Sequence, residues 1–446
     1  MTDDIDGKRE RHRSVPSTRA GRLAGFTRLA GGVAGGMVSE GARRLVAGER
    51  PSIDQLILTP GNAKRLADRL AHLRGAAMKL GQMISMDAGD FLPPELADIL
   101  ARLRDRANFM PPRQLDKVLT AEWGKDWRRQ FRRFEPRPIA AASIGQVHRA
   151  LTSDGRLVAI KVQYPGIAQS IDSDVDNVAS LLKVAGLLPK ELEIAPLLSA
   201  AKQQLHEEAD YQREGAMMQG YAELLAGDER FVVPTLDTEL TRERVLAMSY
   251  EEGRPIESLA EEPQEVRDRV FTHLIELVAR ELFDFGTMQT DPNFANYRYR
   301  AADERIVLLD FGAARPVSPE IAQSYRRLLQ AGLDEDRQRV TEEAVAAGFL
   351  NAKAVARHPE RVARVIDIIV SEMASEDRFD FGDRAFVPEI RDTVAPLIDD
   401  RESWHLPPAE TLFVQRKVSG TALLGARLKA RVDVRRIVSD TLARTE

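Results

Sequence analysis

The sequence predicts an α+β chain of two lobes, a small β-rich one and a larger helical one, with a helical extension ahead of both. Three observations carry this expectation. At 446 residues the chain exceeds the roughly 250–300 residues at which a single core stops growing. Between Phe134 and Val162 the apolar period turns strand-like around Asp154-Gly155, a dipeptide that accepts the positive φ of tight hairpin turns. From Pro319 to the end the pattern is helical with short loops.

In chain order, residues 1–60 form a basic, glycine-rich segment. Lys8, Arg9, Arg11, Arg13, Arg19, Arg22 and Arg28 precede Gly31-Gly32-Val33-Ala34-Gly35-Gly36. Two readings stay open, a tail with a loose helix or a basic amphipathic segment resting on anionic lipid. Residues 61–125 read as a helical extension. Leu66, Leu70, Leu73, Ala77, Leu80 and Ile84 paint one helical stripe, and Leu96, Ile99, Leu100 and Leu103 start a shorter helix after Pro93-Pro94. Pro111-Pro112 is expected to close that helix. The β-rich lobe spans 126–253. It holds hairpin strands over Val147–Leu151 and Leu157–Val162, one long helix from about Pro196 to Leu225, and short strands near Phe231–Val233 and Arg244–Ser249. The helical lobe, 254–446, opens with a helix through Val270, Leu274, Leu277, Val278, Leu282 and Phe285. A buried strand, Ile306–Leu309, then ends on Asp310.

Composition narrows the function. The chain is 43% hydrophobic and 30% charged, with a formal net charge of -5, which points to no nucleic-acid partner. Its cysteine count of 0 excludes disulfides, a thiol nucleophile and cysteine metal sites. No apolar run approaches the roughly 18–20 residues of a membrane-spanning helix. The chain opens Met1-Thr2-Asp3-Asp4 without an apolar stretch behind a basic start. The expectation is a cytoplasmic protein, soluble or peripheral to the inner face of the membrane.

The chemistry concentrates in Asp291-Pro292-Asn293-Phe294-Ala295-Asn296 and, fourteen residues after Asn296, Asp310-Phe311-Gly312. Phosphoryl transfer needs metal held against phosphates and a carboxylate at the acceptor. Asp291 supplies that carboxylate, and Asn296 and Asp310 supply metal ligands, a spacing that matches protein kinases. Lys161, in Val158-Ala159-Ile160-Lys161, matches the strand lysine that clamps α- and β-phosphates. Its carboxylate partner is expected among Glu207, Glu208, Asp210 and Glu214. Asp210 and Glu214 share a helix face, from which Glu208 points away unless the helix bends. Kinases carry a glycine-rich loop where this chain has Ala140-Ala141-Ala142-Ser143-Ile144-Gly145-Gln146-Val147-His148. Alanine is penalised at φ > 0, so this loop is expected to hold nucleotide differently.

These motifs resemble the UbiB/AarF family of ADCK-type atypical kinases, associated with ubiquinone and other prenyl-lipid metabolism, over almost all of the chain from about Ser17. Lys79-Leu80-Gly81-Gln82 is similar to its K-x-G-Q signature, Ala140–His148 to its alanine-rich loop and Glu208-Ala209-Asp210 to its E-x-D motif. Met288–Asn293 and Leu309–Gly312 resemble its catalytic and metal loops, and Leu406-Pro407-Pro408 with Arg416-Lys417 its closing segment. The membrane-spanning tail of the bacterial UbiB type has no counterpart here. The resemblance implies a bilobal protein-kinase-like fold and Glu214 as partner of Lys161. It also implies catalytic-site roles for Lys79, Gln82, Glu208 and Asp210, with the K-x-G-Q helix covering the cleft where a peptide would lie and Lys79 near Glu208 or Asp210. Two features of the sequence itself argue against a peptide substrate. Ser318-Pro319-Glu320 follows Gly312 by only six residues, and Gln289-Thr290-Asp291 lacks the arginine that reads an activation-loop phosphate.

The reading is an atypical kinase or ATPase using ATP and Mg2+ in ubiquinone or other prenyl-lipid biosynthesis. Nucleotide is expected on Ala140, Ala141, Ala142, Ser143, Lys161 and the hinge at Met248–Gly253, with Met248 and Tyr250 nearest adenine. Expected partners are ATP or ADP, prenyl lipids or lipid-biosynthesis proteins, and a membrane surface. The alternatives are a small-molecule or protein kinase, and a nucleotide-binding scaffold without turnover.

Overall fold

A computed structural model of the chain describes residues 109–184, 195–374, 378–400 and 408–444. Lys79, Gln82, the stripe from Leu66 to Ile84, the basic start and Leu406-Pro407 lie outside the described residues. The chain divides into two compact units, one running to Gln219 and including Thr235–Glu251, the other Gly220–Pro234 with Glu252 onward.

The first unit begins with α1 (Pro112–Trp123), which buries Leu115, Val118 and Leu119. Pro111-Pro112 therefore opens a helix here. Proline suits the first helical turn, where an N–H would lack an intrahelical partner anyway. Next come β1 (Phe131–Phe134), β2 (Ala140–Ala141), β3 (Gly145–Thr152) and β4 (Leu157–Gln163). The β3–β4 hairpin forms as Asp154-Gly155 predicts, with Gly155 at φ +95°. On β4 the side chains alternate as a pleat requires. Val158, Ile160 and Val162 are 2% exposed or less, leaving Lys161 to the other face.

Three helices follow, where one was expected: α2 (Ile171–Val184), α3 (Ala195–Ala209) and α4 (Tyr211–Leu224). Helix α2 was missed although Ile171, Val175, Val178 and Ala179 are buried at helical spacing; Asp172, Asp174 and Asp176 break up its apolar run. The chain passes through β5 (Phe231–Val232) and returns as β6 (Val245–Ser249), which completes a five-stranded antiparallel sheet of order β1-β3-β4-β6 with β2 on β3. Trp127 packs edge-on against Phe134 at 5.0 Å, and Phe134 stacks on the His148 ring at 5.2 Å, forming an aromatic core.

The second unit carries β7 (Arg254–Pro255), α5 (Gln264–Phe283), β8 (Thr287–Gln289), β9 (Tyr297–Arg300), β10 (Arg305–Leu308) and β11 (Ala314–Pro316). Strand β5 joins them in a sheet of order β5-β10-β9-β7, and β8 pairs antiparallel with β11. The expected helical remainder follows as α6 (Pro319–Leu333), α7 (Arg337–Ala346), α8 (Ala352–Arg357), α9 (Pro359–Ala374), α10 (Phe386–Asp399), α11 (Ala409–Leu428) and α12 (Val434–Ala443). One small pair interrupts it, β12 (Phe379–Asp380) with β13 (Arg431–Val432). Helix α11 lies tight on α5, because a Cβ at Gly425 would meet Phe271 Cζ at 2.3 Å. Among the described residues no helix is long and apolar enough to cross a membrane.

Candidate active site

The first unit pairs Lys161 with Glu214. Lys161 Nζ donates to both Glu214 oxygens at 2.9 Å, with side chains 9% and 1% exposed. Its ammonium also lies 5.3 Å from the Tyr211 ring centre, within cation–π range. Glu214 reaches the lysine because the helical run expected from Pro196 to Leu225 is broken at Asp210. That residue lies between α3 and α4, and its Oδ1 accepts the Arg213 N–H at 2.9 Å as an N-cap. The break also turns Glu208 inward, where it accepts the Ser143 hydroxyl at 2.7 Å. Asp210 itself is exposed.

The alanine-rich loop folds back on its own strand. Ala140 and Ala141 pair with Val147 and Gln146, and Ala142 N–H donates to the Gly145 carbonyl at 2.9 Å. None of the three alanines has positive φ, so the dihedral penalty expected of them does not arise. Ala140 and Ala141 are ordinary extended strand, which any residue adopts. Glycine is needed at Gly145 instead, where an added Cβ would come within 2.4 Å of the Val162 carbonyl oxygen and 3.0 Å of the Tyr211 hydroxyl. Met248 lies in β6 opposite Ala159, and Tyr250 N–H donates to the Leu157 carbonyl at 3.0 Å.

Behind the loop, Gln146 and His148 form a directed chain. Met110 N–H donates to Gln146 Oε1 at 2.7 Å, and Gln146 Nε2 lies 2.8 Å from His148 Nε2. His148 Nδ1 lies 2.8 Å from the Glu135 carbonyl. A carbonyl only accepts, so the proton sits on Nδ1 and Nε2 accepts from Gln146. Burial pushes the imidazole down to about 4.

The second unit brings Asp291, Asn296 and Asp310 together by stitching two loops. Leu309 N–H donates to the Asn296 carbonyl at 3.0 Å, and Thr290 gives both its N–H (3.2 Å) and its hydroxyl (2.9 Å) to the Ala313 carbonyl. Asn296 Nδ2 reaches the Asp291 carbonyl at 3.4 Å, and Gly312 N–H donates to Asp310 Oδ1 at 3.0 Å. The Gln289 side chain touches both loops. Its Oε1 accepts the Asp291 N–H at 2.9 Å, and its Nε2 donates to the Asp310 carbonyl at 3.1 Å. The half-buried Asp310 carboxylate and the Asn296 amide oxygen are hard oxygen donors of the kind Mg2+ takes together with phosphate oxygens and water. Among the described residues no cluster of three or more His, Cys, Asp or Glu offers a rival metal site.

Beneath these loops lies a buried network that the sequence reading did not identify. Lys417 on α11 lies 3.3 Å from Glu281 Oε2 on α5 and donates to the Tyr297 hydroxyl at 2.7 Å. Glu281 Oε1 accepts the Tyr221 hydroxyl at 2.8 Å and the Gln289 N–H at 3.2 Å. The Tyr221 ring rests 5.0 Å from that of Phe311, between the two residues of Asp310 and Gly312. Burial alone would push the Lys417 ammonium down, but Glu281 and Tyr297 outweigh it and hold the group above its ordinary range. The sequence signal was Arg416-Lys417 alone, whose partner is 136 residues earlier.

A family model described as the ABC1 atypical kinase-like domain matches residues 102–344. The chain is 38% identical to atypical kinase COQ8B, mitochondrial, of Rattus norvegicus, over 98% of this chain and 83% of that protein. It is 37% identical to atypical kinase coq-8, mitochondrial, of Caenorhabditis elegans, over 95% of this chain but 57% of that longer protein. The Saccharomyces cerevisiae atypical kinase COQ8, mitochondrial, is 36% identical over 96% of this chain and 86% of its own length. Among solved structures, the Rv3197–erythromycin complex from Mycobacterium tuberculosis superposes with TM-score 0.59 at 25% identity, covering 84% of this chain and 94% of that one. The kinase-like α+β fold is thus shared, and this chain belongs to the ABC1 atypical kinase-like family, the UbiB/COQ8 group.

Proposed function

We propose that the chain binds Mg-ATP and acts as an atypical kinase or ATPase supporting ubiquinone or other prenyl-lipid biosynthesis. The observation that carries this reading is the stitching of Asp291, Asn296 and Asp310 through Gln289 and Thr290, in a chain whose other unit holds the Lys161–Glu214 pair. Lys161 would hold the α- and β-phosphates, oriented by Glu214. Asn296 and Asp310 would hold Mg2+, which when bound neutralises phosphate charge as it is transferred. Asp291 would orient the acceptor, a hydroxyl or a water, and take its proton. Ala140, Ala141, Ala142 and Ser143 would lie along the nucleotide, with Met248 and Tyr250 at the adenine edge.

A small acceptor or water fits better than a peptide. After Gly312 the chain makes only the three-residue β11 before Ser318 caps α6, leaving little length for a peptide platform. The relatives with mitochondrial names and the family's tie to prenyl lipids motivate a membrane-peripheral setting, met through the basic N-terminal segment and lipid-biosynthesis partners. Lys79, Gln82, Glu208 and Asp210 would act as an internal gate on the site.

The test is Mg2+-dependent ATP affinity and ATP hydrolysis, with and without anionic vesicles, for wild type, Asp310→Asn and Asp291→Asn. Asp310→Asn is expected to abolish the Mg2+-dependent part of both. Asp291→Asn is expected to keep binding and lose turnover. Wild-type behaviour of Asp310→Asn would reject the site, and full biological function of Asp291→Asn would favour a scaffold.

A further inference from the structure

We propose that Gln289 is a positioning residue that sets the Asp291 and Asp310 carboxylates with one amide group, an inference resting on the roles proposed above for those aspartates. Its side chain accepts the Asp291 N–H at 2.9 Å and donates to the Asp310 carbonyl at 3.1 Å. One orientation of the amide satisfies both contacts. Turned over, its NH2 would face an N–H and its oxygen would face a carbonyl. At 6% exposure, water has little room to substitute for either bond.

The backbone of Gln289 is fixed as firmly as its side chain. Its N–H donates to Glu281 Oε1 at 3.2 Å, and that carboxylate is held by Tyr221 and Lys417. In the β8–β11 pair it lies opposite Ala314, shortly after Gly312. The residue therefore stands on a buried charge network and holds one loop with each end of its amide. Neither the peptide ahead of Asp291 nor the carbonyl of Asp310 can rotate without losing one of those bonds. The carboxylates on either side of the transferred group are thereby coupled in orientation, and a residue that merely filled space would not couple them.

Two variants of the full chain separate these roles. Gln289→Met keeps the volume and loses both bonds. Gln289→Glu keeps an acceptor for the Asp291 N–H and replaces the NH2 that faces the Asp310 carbonyl with a second oxygen. The measurements are Mg2+-dependent ATP affinity, ATP hydrolysis and the melting temperature of nucleotide-free protein, all at one neutral pH.

Gln289→Met is expected to lose about tenfold in the Mg2+-dependent gain in ATP affinity, the scale for a residue supporting metal ligands. It should also lose about 100-fold in kcat, the scale for a misplacement near 1 Å. Metal-free ATP affinity stays close to wild type. Gln289→Glu, which keeps only the bond to Asp291, should lose the Mg2+-dependent gain by a comparable factor. Wild-type affinity and kcat in Gln289→Met or in Gln289→Glu would overturn the proposal. Absence of Mg2+-dependent ATP affinity in wild type would overturn the functional reading itself.

Discussion

Among the described residues, each unit of the molecule buries a lysine–glutamate pair, and the two pairs differ in the secondary structure around them. Lys161 meets both oxygens of Glu214 at 2.9 Å, beside a helix break at Asp210 and the close-packed Gly145 loop. Lys417 sits between two long helices, 3.3 Å from Glu281 and 2.7 Å from the Tyr297 hydroxyl, with 2% of its side chain exposed. Composition is the same and both pairs are buried, so neither property marks a site. What separates the pairs is their setting: broken secondary structure around Lys161, continuous helix and tyrosine hydroxyls around Lys417. On the proposed reading the first meets a ligand and the second holds a frame.

The sharpest way to break this comparison is to remove one lysine at a time. Lys417→Met strands a buried carboxylate that also carries Tyr221 and Gln289, at a cost of about 5 kcal/mol. For a unit of this size that corresponds to a loss on the order of 10 °C in its melting transition. Adding Glu281→Gln, which removes the stranded charge, should restore most of the stability and much of the turnover. Lys161→Met should cost less, about 3 kcal/mol, because its ammonium is the more exposed of the two. Its Glu214→Gln companion should restore stability and leave Mg-ATP affinity lost. If both double variants recover nucleotide affinity equally, the division between frame and site fails.

Acid sharpens the comparison by acting through His148. Its folded pKa, pushed by burial to about 4, lies below the ordinary 6.5. The unfolded chain therefore takes up a proton that the folded chain refuses between those values, and stability falls as pH drops through the window. The loss is fully developed below about pH 4, where it amounts to about 3 kcal/mol. Denaturant titrations of wild type and His148→Gln should diverge below about pH 6.5 in the first unit's transition. Parallel curves would mean the imidazole is not buried as a neutral ring. The smallest effect is expected at Ala141→Gly, about 0.5–1 kcal/mol for glycine in a strand, since the alanine backbone is unstrained. A large stability gain, measured by the same titrations, would restore the discarded dihedral explanation.

What was legible in the sequence was local. Asp154-Gly155 marked the hairpin, Val158–Lys161 marked a strand with one charged face, and the Asp291, Asn296 and Asp310 spacing marked two loops. Glu214 could be chosen only through the family resemblance, because the break at Asp210 depends on a cap competing with helix continuation. Pro111-Pro112, expected to close one helix, begins α1, since proline serves as a helix start as well as a stop. Gln289 was quoted within a motif without a role, since its function depends on which groups lie at the two ends of its amide. The Lys417–Glu281 pair joins residues 136 positions apart, a distance over which no periodicity carries information.

The bonds across the two loops also set a common lifetime. The amides of Thr290, Asp291 and Leu309 each find their acceptor across a loop or in the clamp that joins the loops. None can exchange its hydrogen with solvent until the loops part, so hydrogen exchange should report one opening event shared by all three. Asp291 and Asp310 are then lost or kept together. A substitution anywhere along β8 or β11 that hastens that opening shortens the life of the whole constellation, however far it lies from either carboxylate.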